Sequence, residues 1–436
     1  MVSAYALPIH LPPSFKFNRS SKSVRSTINR KCRQPTFKPQ CSSEDPSMVQ
    51  AVAADPASAG RLLGLGEEGA WDHLSVGTPV VRCFLGDNQD RWYMWYNGRS
   101  GGPHPENFDS GCVGVATSSD GVEWKRGVGK VSVRGDRQPS HEGSEVGVVL
   151  MPNEEDWWTF DTLHVGLGDV QIISSGNVQS QGGIYWMFYA GGDYNETDNP
   201  DGSSSKQTGL VQRPGLCLSQ DGLNFARIEG EHYTGSLFDF GKDGDWDALS
   251  VSAPQVVSLG GGDLRMYFQA TSAPGVPTSV GVANSPDGFR WDKMAEPVLV
   301  PGPPGSYDEG GILRPFVLPL PPTKGGGFVM YYEAIDGNGV HSIGAAKSAD
   351  GLKWERVNDK PVFEASEVEG AWDSGGVRAP CPVIMGGGKL RLYYAGQSAK
   401  SGASEGIGLA MSAEDDIFSF KRREPKAASP QNAENN

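Results

Sequence analysis

The sequence predicts an all-β fold, a five-bladed β-propeller of four-stranded antiparallel blades. Two observations predict it. The 436 residues include 59 glycines and 31 prolines and are well supplied with aromatic residues, a composition that favours many short strands joined by turns. One turn-and-strand pattern also recurs five times along the chain, and radial repetition of a four-stranded unit is the pattern of a propeller.

The clearest repeated element reads G-x-[AC]-x-S, followed by D-G and an aromatic residue. Steps of 101, 66, 63 and 64 residues separate its five copies. The alternating small residues predict a strand with one tightly packed face, and D-G predicts a tight turn in which glycine takes a positive φ. The copies are GVATSSDGVEW from Gly114, GLCLSQDGLNF from Gly215, GVANSPDGFRW from Gly281, GAAKSADGLKW from Gly344 and GLAMSAEDDIFSF from Gly408.

Two further elements precede each copy. An aromatic strand reads MWYNG, MFYAG, MYFQA, MYYEA or LYYAG, and ahead of it an aromatic residue followed by aspartate opens the unit. These aspartates recur in all five units, so we expect them to be structural and to accept backbone N–H bonds in the turn. They are Asp72, Asp161, Asp247, Asp308 and Asp373.

The order of these elements predicts the domain organisation. Blades are expected at about 67–130, 155–232, 242–300, 303–362 and 367–424, with an insertion at 131–154. Residues 44–66 are predicted to be a linker and residues 425–436 a polar tail.

The amino-terminal segment differs from the rest of the chain. Residues 1–43 contain eight Lys or Arg, eight Ser and no Asp or Glu, and they lack the continuous apolar core of a secretory signal. This composition predicts an organelle transit peptide, with the chloroplast as the first destination and the mitochondrion as the alternative. A basic tail of a cytosolic protein is the remaining alternative.

Charge and cysteine usage exclude several classes of function. The formal net charge of −14 argues against general binding to a nucleic-acid backbone, and no apolar stretch reaches the ~18 residues of a membrane span. Cys83, Cys112, Cys217 and Cys381 lie far apart and form no C-x-x-C motif. No cofactor and no metal site is therefore predicted.

The W-D, P-x-V-V, M-Y-Y and S-x-D-G-x-x-W elements resemble the five-bladed β-propeller glycoside hydrolases, the superfamily of arabinanases, β-xylosidases, levansucrases and invertases, including family 43. The resemblance covers nearly all of the chain after residue 66. It implies carboxylates at the channel mouth, on the innermost strands of the first three blades. Glycosidic cleavage needs one carboxylic acid to protonate the leaving oxygen and one carboxylate to activate water or attack carbon.

The sequence departs from that family at two of these positions. The first blade has Thr78-Pro79 where the family commonly has an aspartate, and the third blade offers Gln255 near the position of the glutamate. Only the second blade supplies a carboxylate, Asp169. Whether the protein is an enzyme therefore stays open at this point.

Residues that break the repeat are the remaining candidates for a site. Glu333 stands where the other units have Asn97, Ala190, Gln269 and Ala395, and Glu309 follows the opening aspartate only in the fourth unit. We expect catalytic roles for Asp169, Glu333 and Glu309, and ligand-binding roles for Arg314, Arg378, His164, Asp193, Asn97 and Gln269. Arginine suits a carboxylate-bearing or phosphorylated sugar, and buried ion pairs that stabilise the channel are the alternative.

Two functions follow from these residues. The first is an organellar glycosidase-like propeller that binds a sugar or glycan, neutral or anionic, in its central funnel and hydrolyses or transfers glycosyl groups. The second is a non-catalytic propeller that acts as a binding or assembly scaffold for a protein partner.

Overall fold

A computed structural model describes residues 55–84, 91–100, 111–127, 147–173, 183–197, 207–321, 325–413 and 416–424. The predicted transit peptide, the polar tail and most of the insertion at 131–154 lie outside these ranges. Within them the chain is all-β, as the sequence predicts, apart from short 3₁₀ turns at Pro56–Ser58 and Gly386–Gly388. No helix of the described part reaches the length and hydropathy of a membrane-spanning segment.

The strands form five units, and in each unit four consecutive strands pair antiparallel with their neighbours in sequence. Strand β1 (Arg61–Gly64) and strand β6 (Val148–Leu150) are additional. The units are β2 (Ser75–Phe84), β3 (Arg91–Arg99), β4 (Gly111–Ser118) and β5 (Lys125–Arg126); β7 (His164–Ile173), β8 (Ile184–Thr197), β9 (Gln207–Ser219) and β10 (Ala226–Ile228); β11 (Ser250–Gly260), β12 (Asp263–Thr271), β13 (Ser279–Ser285) and β14 (Asp292–Lys293); β15 (Gly311–Pro319), β16 (Phe328–Ile335), β17 (His341–Ser348) and β18 (Glu355–Arg356); and β19 (Gly376–Ile384), β20 (Leu390–Gln397), β21 (Ser404–Ser412) and β22 (Phe420–Arg422).

The aspartate that opens each unit is buried and structural, but its partners are side chains rather than the expected backbone N–H groups. In every unit it forms an ion pair with a cation of the fourth strand, and in four units a tyrosine of the second strand also donates its hydroxyl to it. The ion pairs are Asp72–Arg126, Asp161–Arg227, Asp247–Lys293, Asp308–Arg356 and Asp373–Arg422.

The D-G turns form as the sequence predicts. In the first unit Asp120 Oδ1 accepts the N–H groups of Val122 and Glu123, and Ser118 Oγ accepts that of Gly121 at 3.0 Å. The glycine has a φ of 71°, in the left-handed region where a side chain would be strained. The same bonds recur in the second, third and fourth units, so each turn returns the chain to a short fourth strand.

The five units contact one another in a closed cycle. An aromatic side chain of the second strand reaches the turn of the following unit, and the last unit reaches the first in the same way. The contacts are Trp95 Nε1 to Gly222 O (2.9 Å), the Phe188 ring against Trp291 (centroids 6.0 Å apart), Tyr267 OH to Gly351 O (2.9 Å), Tyr331 OH to Ile417 O (2.6 Å) and Tyr393 OH to Gly121 O (2.8 Å).

Residues 61–64, predicted as part of a linker, instead form β1 and join the fifth unit. Strand β1 pairs antiparallel with β21, with Leu63 opposite Ile407, and Gly60 exchanges backbone bonds with Arg423 and Leu409. These residues form a strand because β21 offers them a free edge to pair with. Leu299, just before the opening turn of the fourth unit, forms the equivalent bridge to Val280 of β13 in the third unit. Strand β6 similarly pairs with β4, so residues 148–150 of the predicted insertion belong to the first sheet.

Candidate functional site

The first strand of each unit contains a bulge, and these bulges determine where the candidate residues lie. Each first strand pairs with its own second strand, and the N–H groups of its other edge need side-chain acceptors. The residue before proline takes a left-handed backbone conformation in four units: Thr78, Ala253, Arg314 and Ala379 have φ between 46° and 49°.

Asp169 supplies one of these acceptors. Its fully buried carboxylate accepts bonds from Arg82 Nη2 (2.5 Å), Gln171 Nε2 (2.7 Å), Val170 N (2.8 Å) and Val256 N (3.1 Å). These donors come from the first strands of three units, and together they occupy the capacity of the two carboxylate oxygens. Asp169, the predicted catalytic residue of the second unit, therefore has the geometry of a structural acceptor.

The first-strand residue equivalent to Asp169 is also an acceptor in the third unit, where it is Gln255, and in the fifth, where it is Cys381. Gln255 Oε1 accepts Val317 N at 3.1 Å, and Cys381 Sγ accepts Val81 N at 3.3 Å. In the fifth unit the residue that would need such an acceptor is Pro382, which has no N–H. A residue type that looks exceptional in the sequence thus answers a backbone requirement shared by four of the five units.

A second set of acceptors lies opposite the bulges, on the second strands. Asn97 Oδ1 accepts Leu167 N at 2.8 Å, and Gln269 Oε1 accepts Arg314 N at 2.8 Å. Both side chains, predicted to bind ligand, hold the first strand of the next unit. Glu333 occupies the corresponding position in the fourth unit, and its Oε2 accepts Ala379 N at 3.0 Å.

Glu333 differs from these two amides because two arginines and a histidine surround it. Arg378 Nε lies 2.9 Å from its Oε1, His341 Nδ1 lies 2.8 Å from the same oxygen, and Arg314 Nε lies 3.9 Å from Oε2. Burial by itself would raise the pKa of Glu333, but the charge of Arg378, the bond and charge of His341 and the charge of Arg314 outweigh it and hold the pKa well below its usual range. Glu333 therefore stays ionised at neutral pH and cannot act as a general acid.

Positive charge exceeds negative charge at this cluster. Burial and the like charges of Arg378 and Arg99 lower the pKa of Arg314, although the charge of Glu333 opposes that effect. The side chains of Arg314 and Arg378 are each 34% exposed, whereas Glu333 is fully buried. The two arginines are therefore the part of the cluster that solvent or a ligand can reach.

The other predicted site residues lie apart from this cluster. Glu309 Oε2 accepts Gly305 N at 2.5 Å within its own opening turn. His164 Nδ1 accepts Gly111 N at 3.1 Å between the second and first units, and Asp193 accepts the Thr162 hydroxyl at 3.3 Å. The structure thus brings Glu333, Arg314 and Arg378 together, but it does not join Asp169, Glu309, His164 or Asp193 to them.

The bulges of all five units line a small cavity. Its walls include Thr78, Leu167, Ala253, Arg314 and Ala379, and its volume is about 20 Å³, room for about one water molecule. A sugar ring does not fit there. Any carbohydrate at this site must therefore lie on the solvent-exposed side of Arg314 and Arg378.

The sequence analysis missed His341 and the cations that pair with the opening aspartates. A clear signal existed for the cations, because a Lys or Arg follows two residues after the aromatic residue of each return strand. This spacing also identifies Phe420 as that aromatic residue in the fifth unit. His341 is the first residue of β17, three residues before Gly344, where the repeat gives no indication of it.

Comparisons with known proteins support the fold more than the chemistry. No protein-family model matches the chain. The uncharacterized protein Rv1502 of Mycobacterium tuberculosis is 26% identical over 202 residues, which cover 45% of this chain and 60% of that protein, and MT1551 from a second strain matches equally. The match therefore spans less than two thirds of the relatives' own length.

Several solved structures of similar fold are described as glycoside hydrolases or glycoside phosphorylases. A glycosyl hydrolase from Bacteroides ovatus is 16% identical with a TM-score of 0.52, covering 84% of this chain and 96% of that one. A thermostable family-43 glycoside hydrolase is 15% identical with a TM-score of 0.52 (83% and 97%). The β-1,2-mannobiose phosphorylase from Listeria innocua, solved with β-1,2-mannobiose, is 14% identical with a TM-score of 0.51 (79% and 91%). The predicted resemblance to the glycoside hydrolase superfamily is thereby confirmed for the fold.

Proposed function

We propose that the five units form a five-bladed β-propeller whose central funnel binds a carbohydrate carrying a negative charge. The ligand contacts Arg314 and Arg378, which Glu333 holds in place. The closed cycle of contacts between units supports the propeller, and the likeness to glycoside-active enzymes supports a carbohydrate.

One observation indicates that the ligand is negatively charged. Two guanidinium groups, each one-third exposed, share a single buried carboxylate. Arg378 uses its Nε for Glu333, and within the described ranges neither arginine has a bond at its terminal Nη atoms. An anionic group on the ligand would satisfy those donors and the excess positive charge.

Binding is better supported than hydrolysis by the predicted carboxylates. A glycosidase needs a carboxylic acid that stays protonated near neutral pH. Glu333 is held ionised by the charges around it, and both carboxylate oxygens of Asp169 already accept hydrogen bonds from protein donors, so neither faces a ligand. Hydrolysis or transfer of glycosyl groups by this protein would therefore need an acid other than these two.

A protein-binding scaffold is the second candidate, and exposed aromatic residues favour it. Trp157 is 87% exposed and Tyr233 is 82% exposed, on two turns joined by the bond from Phe160 N to Thr234 O. Large exposed aromatic side chains are typical of interaction surfaces. A stable complex that forms in the absence of sugar and is lost when Trp157 and Tyr233 are both replaced by Ser would support this function.

Calorimetric titration tests the first candidate. We expect a protein beginning near residue 44 to bind glucuronate or glucose 1-phosphate more tightly than glucose, xylose or arabinose. Arg378→Ala should remove that binding. Arg290→Ala is the matched control, since Arg290 is 75% exposed and pairs with Glu231 at the surface. Equal affinity for neutral and anionic sugars, or full binding by Arg378→Ala, would contradict the proposal.

The basic, acid-free segment 1–43 supports action in a chloroplast, with the mitochondrion as the alternative. Fusing residues 1–60 to a fluorescent protein tests this. Fluorescence confined to plastids is expected, and a diffuse cytosolic signal would contradict it.

A further inference from the structure

We propose that His341 is the acid–base residue of the site at Arg314 and Arg378, and that the site cleaves a glycan of 4-linked uronates by β-elimination. This inference rests on the proposed function, because it names the substrate class and the reaction for the same anionic carbohydrate. It assigns the proton transfer to a side chain other than Asp169 and Glu333.

His341 is held by the same carboxylate oxygen as Arg378. Its Nδ1 lies 2.8 Å from Glu333 Oε1, and Arg378 Nε lies 2.9 Å from that oxygen. Nδ1 is buried, and no other group of the described residues bonds to it. Because Glu333 stays ionised at neutral pH, its carboxylate keeps a proton on Nδ1 and orients the ring. A histidine oriented by a carboxylate in this way is a common arrangement in acid–base catalysis.

The other ring nitrogen, Nε2, is left for a ligand. The His341 side chain is 13% exposed, and Nε2 has no hydrogen bond or ion pair with the described residues. Since His341 and Arg378 meet at one oxygen of Glu333, a ligand on Arg378 lies close to the imidazole. With the Nδ1 proton held by Glu333, a neutral imidazole accepts a proton at Nε2 and can return it.

The fold does not require a histidine at position 341. His341, the first residue of β17, pairs in parallel with Gly376 at the start of the next unit. Thr278 and Glu405, at the equivalent positions of the third and fifth units, make the same parallel pairing with the unit that follows them. Three different side chains thus accompany one backbone role, so the imidazole is explained by what it bonds rather than by the strand pairing.

Elimination fits these groups better than hydrolysis. Hydrolysis needs a protonated carboxylic acid and a second carboxylate, roles that the bonds of Asp169 and Glu333 leave unfilled. Elimination from a uronate needs a base for the C5 proton and cations that withdraw charge from the neighbouring carboxylate. Arg314 and Arg378 can hold that carboxylate through their terminal Nη donors, and His341 is the base.

The step balances with one imidazole. His341 Nε2 takes the proton from C5, the electrons of that bond form the C4=C5 double bond, and the C4–O bond breaks with its electrons on the leaving glycan. Nε2 then returns the proton to that oxygen, so no water or other co-reactant is consumed. A single imidazole reaches both atoms only where C5–H and C4–O lie on the same face of the ring, as in glucuronate and mannuronate but not in galacturonate.

Formation of the double bond tests the inference, because a C4=C5 bond conjugated with the carboxylate absorbs ultraviolet light. The protein beginning near residue 44 would be incubated with β-1,4-glucuronan, polymannuronate and polygalacturonate, with Arg290→Ala as the control. We expect absorbance to rise with the first two polymers and not with the third. His341→Thr should lower the rate roughly a hundredfold or more while the calorimetric affinity for glucuronate stays within about threefold.

Imidazole rescue distinguishes a base from a structural histidine. Added imidazole should restore part of the activity of His341→Ala and none of the activity of Arg378→Ala, which lacks a binding group. Full activity in both His341 variants would overturn the inference, and so would loss of glucuronate binding together with turnover in His341→Thr, because His341 would then bind rather than react.

The remaining outcomes separate this inference from the proposed function. Glucuronate that binds while no polymer gains a double bond would overturn the elimination and leave an anionic carbohydrate site standing. Elimination from polygalacturonate alone would overturn the step through a single imidazole. Failure of the wild type to bind any anionic sugar would overturn the proposed function itself.

Discussion

Asp308 and Arg356 form an ion pair inside the fourth unit, with Oδ2 and Nε 2.7 Å apart, although 48 residues separate them. The pair joins the turn that opens the unit to the strand that ends it. Tyr332 donates its hydroxyl to the same carboxylate oxygen from the second strand. Equivalent ion pairs occur in the other four units, so in every unit this interaction connects the last strand of the sheet to the opening turn.

Asp308→Ala should therefore destabilise the protein strongly. It would leave the buried hydroxyl of Tyr332 and the partly buried guanidinium of Arg356 without their acceptor, a loss of about 3 kcal/mol. Urea unfolding measures this. Asp292→Ala, at an exposed aspartate of β14, is the control and should change the free energy of unfolding by less than about 0.5 kcal/mol. Equal stability of the two variants would show that the ion pair does not fasten the unit.

Residues 55–64 should be required for full stability. A protein beginning at residue 65 loses the two backbone bonds of Gly60, the bond from Trp372 Nε1 to Ala59 O and the buried side chain of Leu63. Together these contribute about 4 kcal/mol. Thermal unfolding of proteins beginning at 55 and at 65 measures the effect, and coincident midpoints would contradict a closing role for β1.

The sequence predicted the parts of this fold that depend on local chemistry. The D-G turns and the buried aspartates follow from residues that act within one unit. The closure by β1 could not be predicted, because Leu63 and Ile407 pair across almost the whole chain and β1 by itself lacks a distinctive motif. Its only signal is an apolar residue shortly before the opening turn, as at Leu299 in the third unit.

The candidate site was predictable only in part, for a similar reason. Searching for exceptions in the repeat found Glu333, Arg314 and Arg378, which do meet. The same search selected Asp169, which instead has a structural role. Its carboxylate accepts backbone N–H bonds from Val170 in its own strand and from Val256 of the next unit. Whether two such residues come into contact depends on how the bulges of different units are aligned with one another. The sequence of a single unit does not determine that alignment.

Glu333→Gln should lower stability in a pH-dependent way. The pKa of Glu333 is lower in the folded state than its unfolded value of about 4.3, so its contribution is full above that pH and declines as the pH falls below it. At pH 7 the variant should lose about 2 kcal/mol, because the amide still accepts Ala379 N but no longer balances Arg378.

The stability difference between wild type and Glu333→Gln should therefore shrink between pH 7 and about pH 3, below the unfolded pKa. Urea unfolding at the two pH values measures it. Glu355→Gln, at an exposed glutamate of β18, is the control and should match wild type at both. A difference that grows on acidification would mean that Glu333 is protonated in the folded protein.

Asp169→Asn should act on stability and not on ligand binding. The amide nitrogen would bring two more donors to a place where Arg82, Gln171, Val170 N and Val256 N already converge, so at least one buried donor would lose its acceptor. We expect a loss of about 3 kcal/mol on urea unfolding, against less than about 0.5 kcal/mol for the exposed control Asp263→Asn. The folded variant should keep its affinity for glucuronate or glucose 1-phosphate within about twofold, because Asp169 shares no bond with Glu333 or its arginines. An unchanged unfolding midpoint together with lost ligand binding would instead place Asp169 in the ligand site and restore its predicted catalytic role.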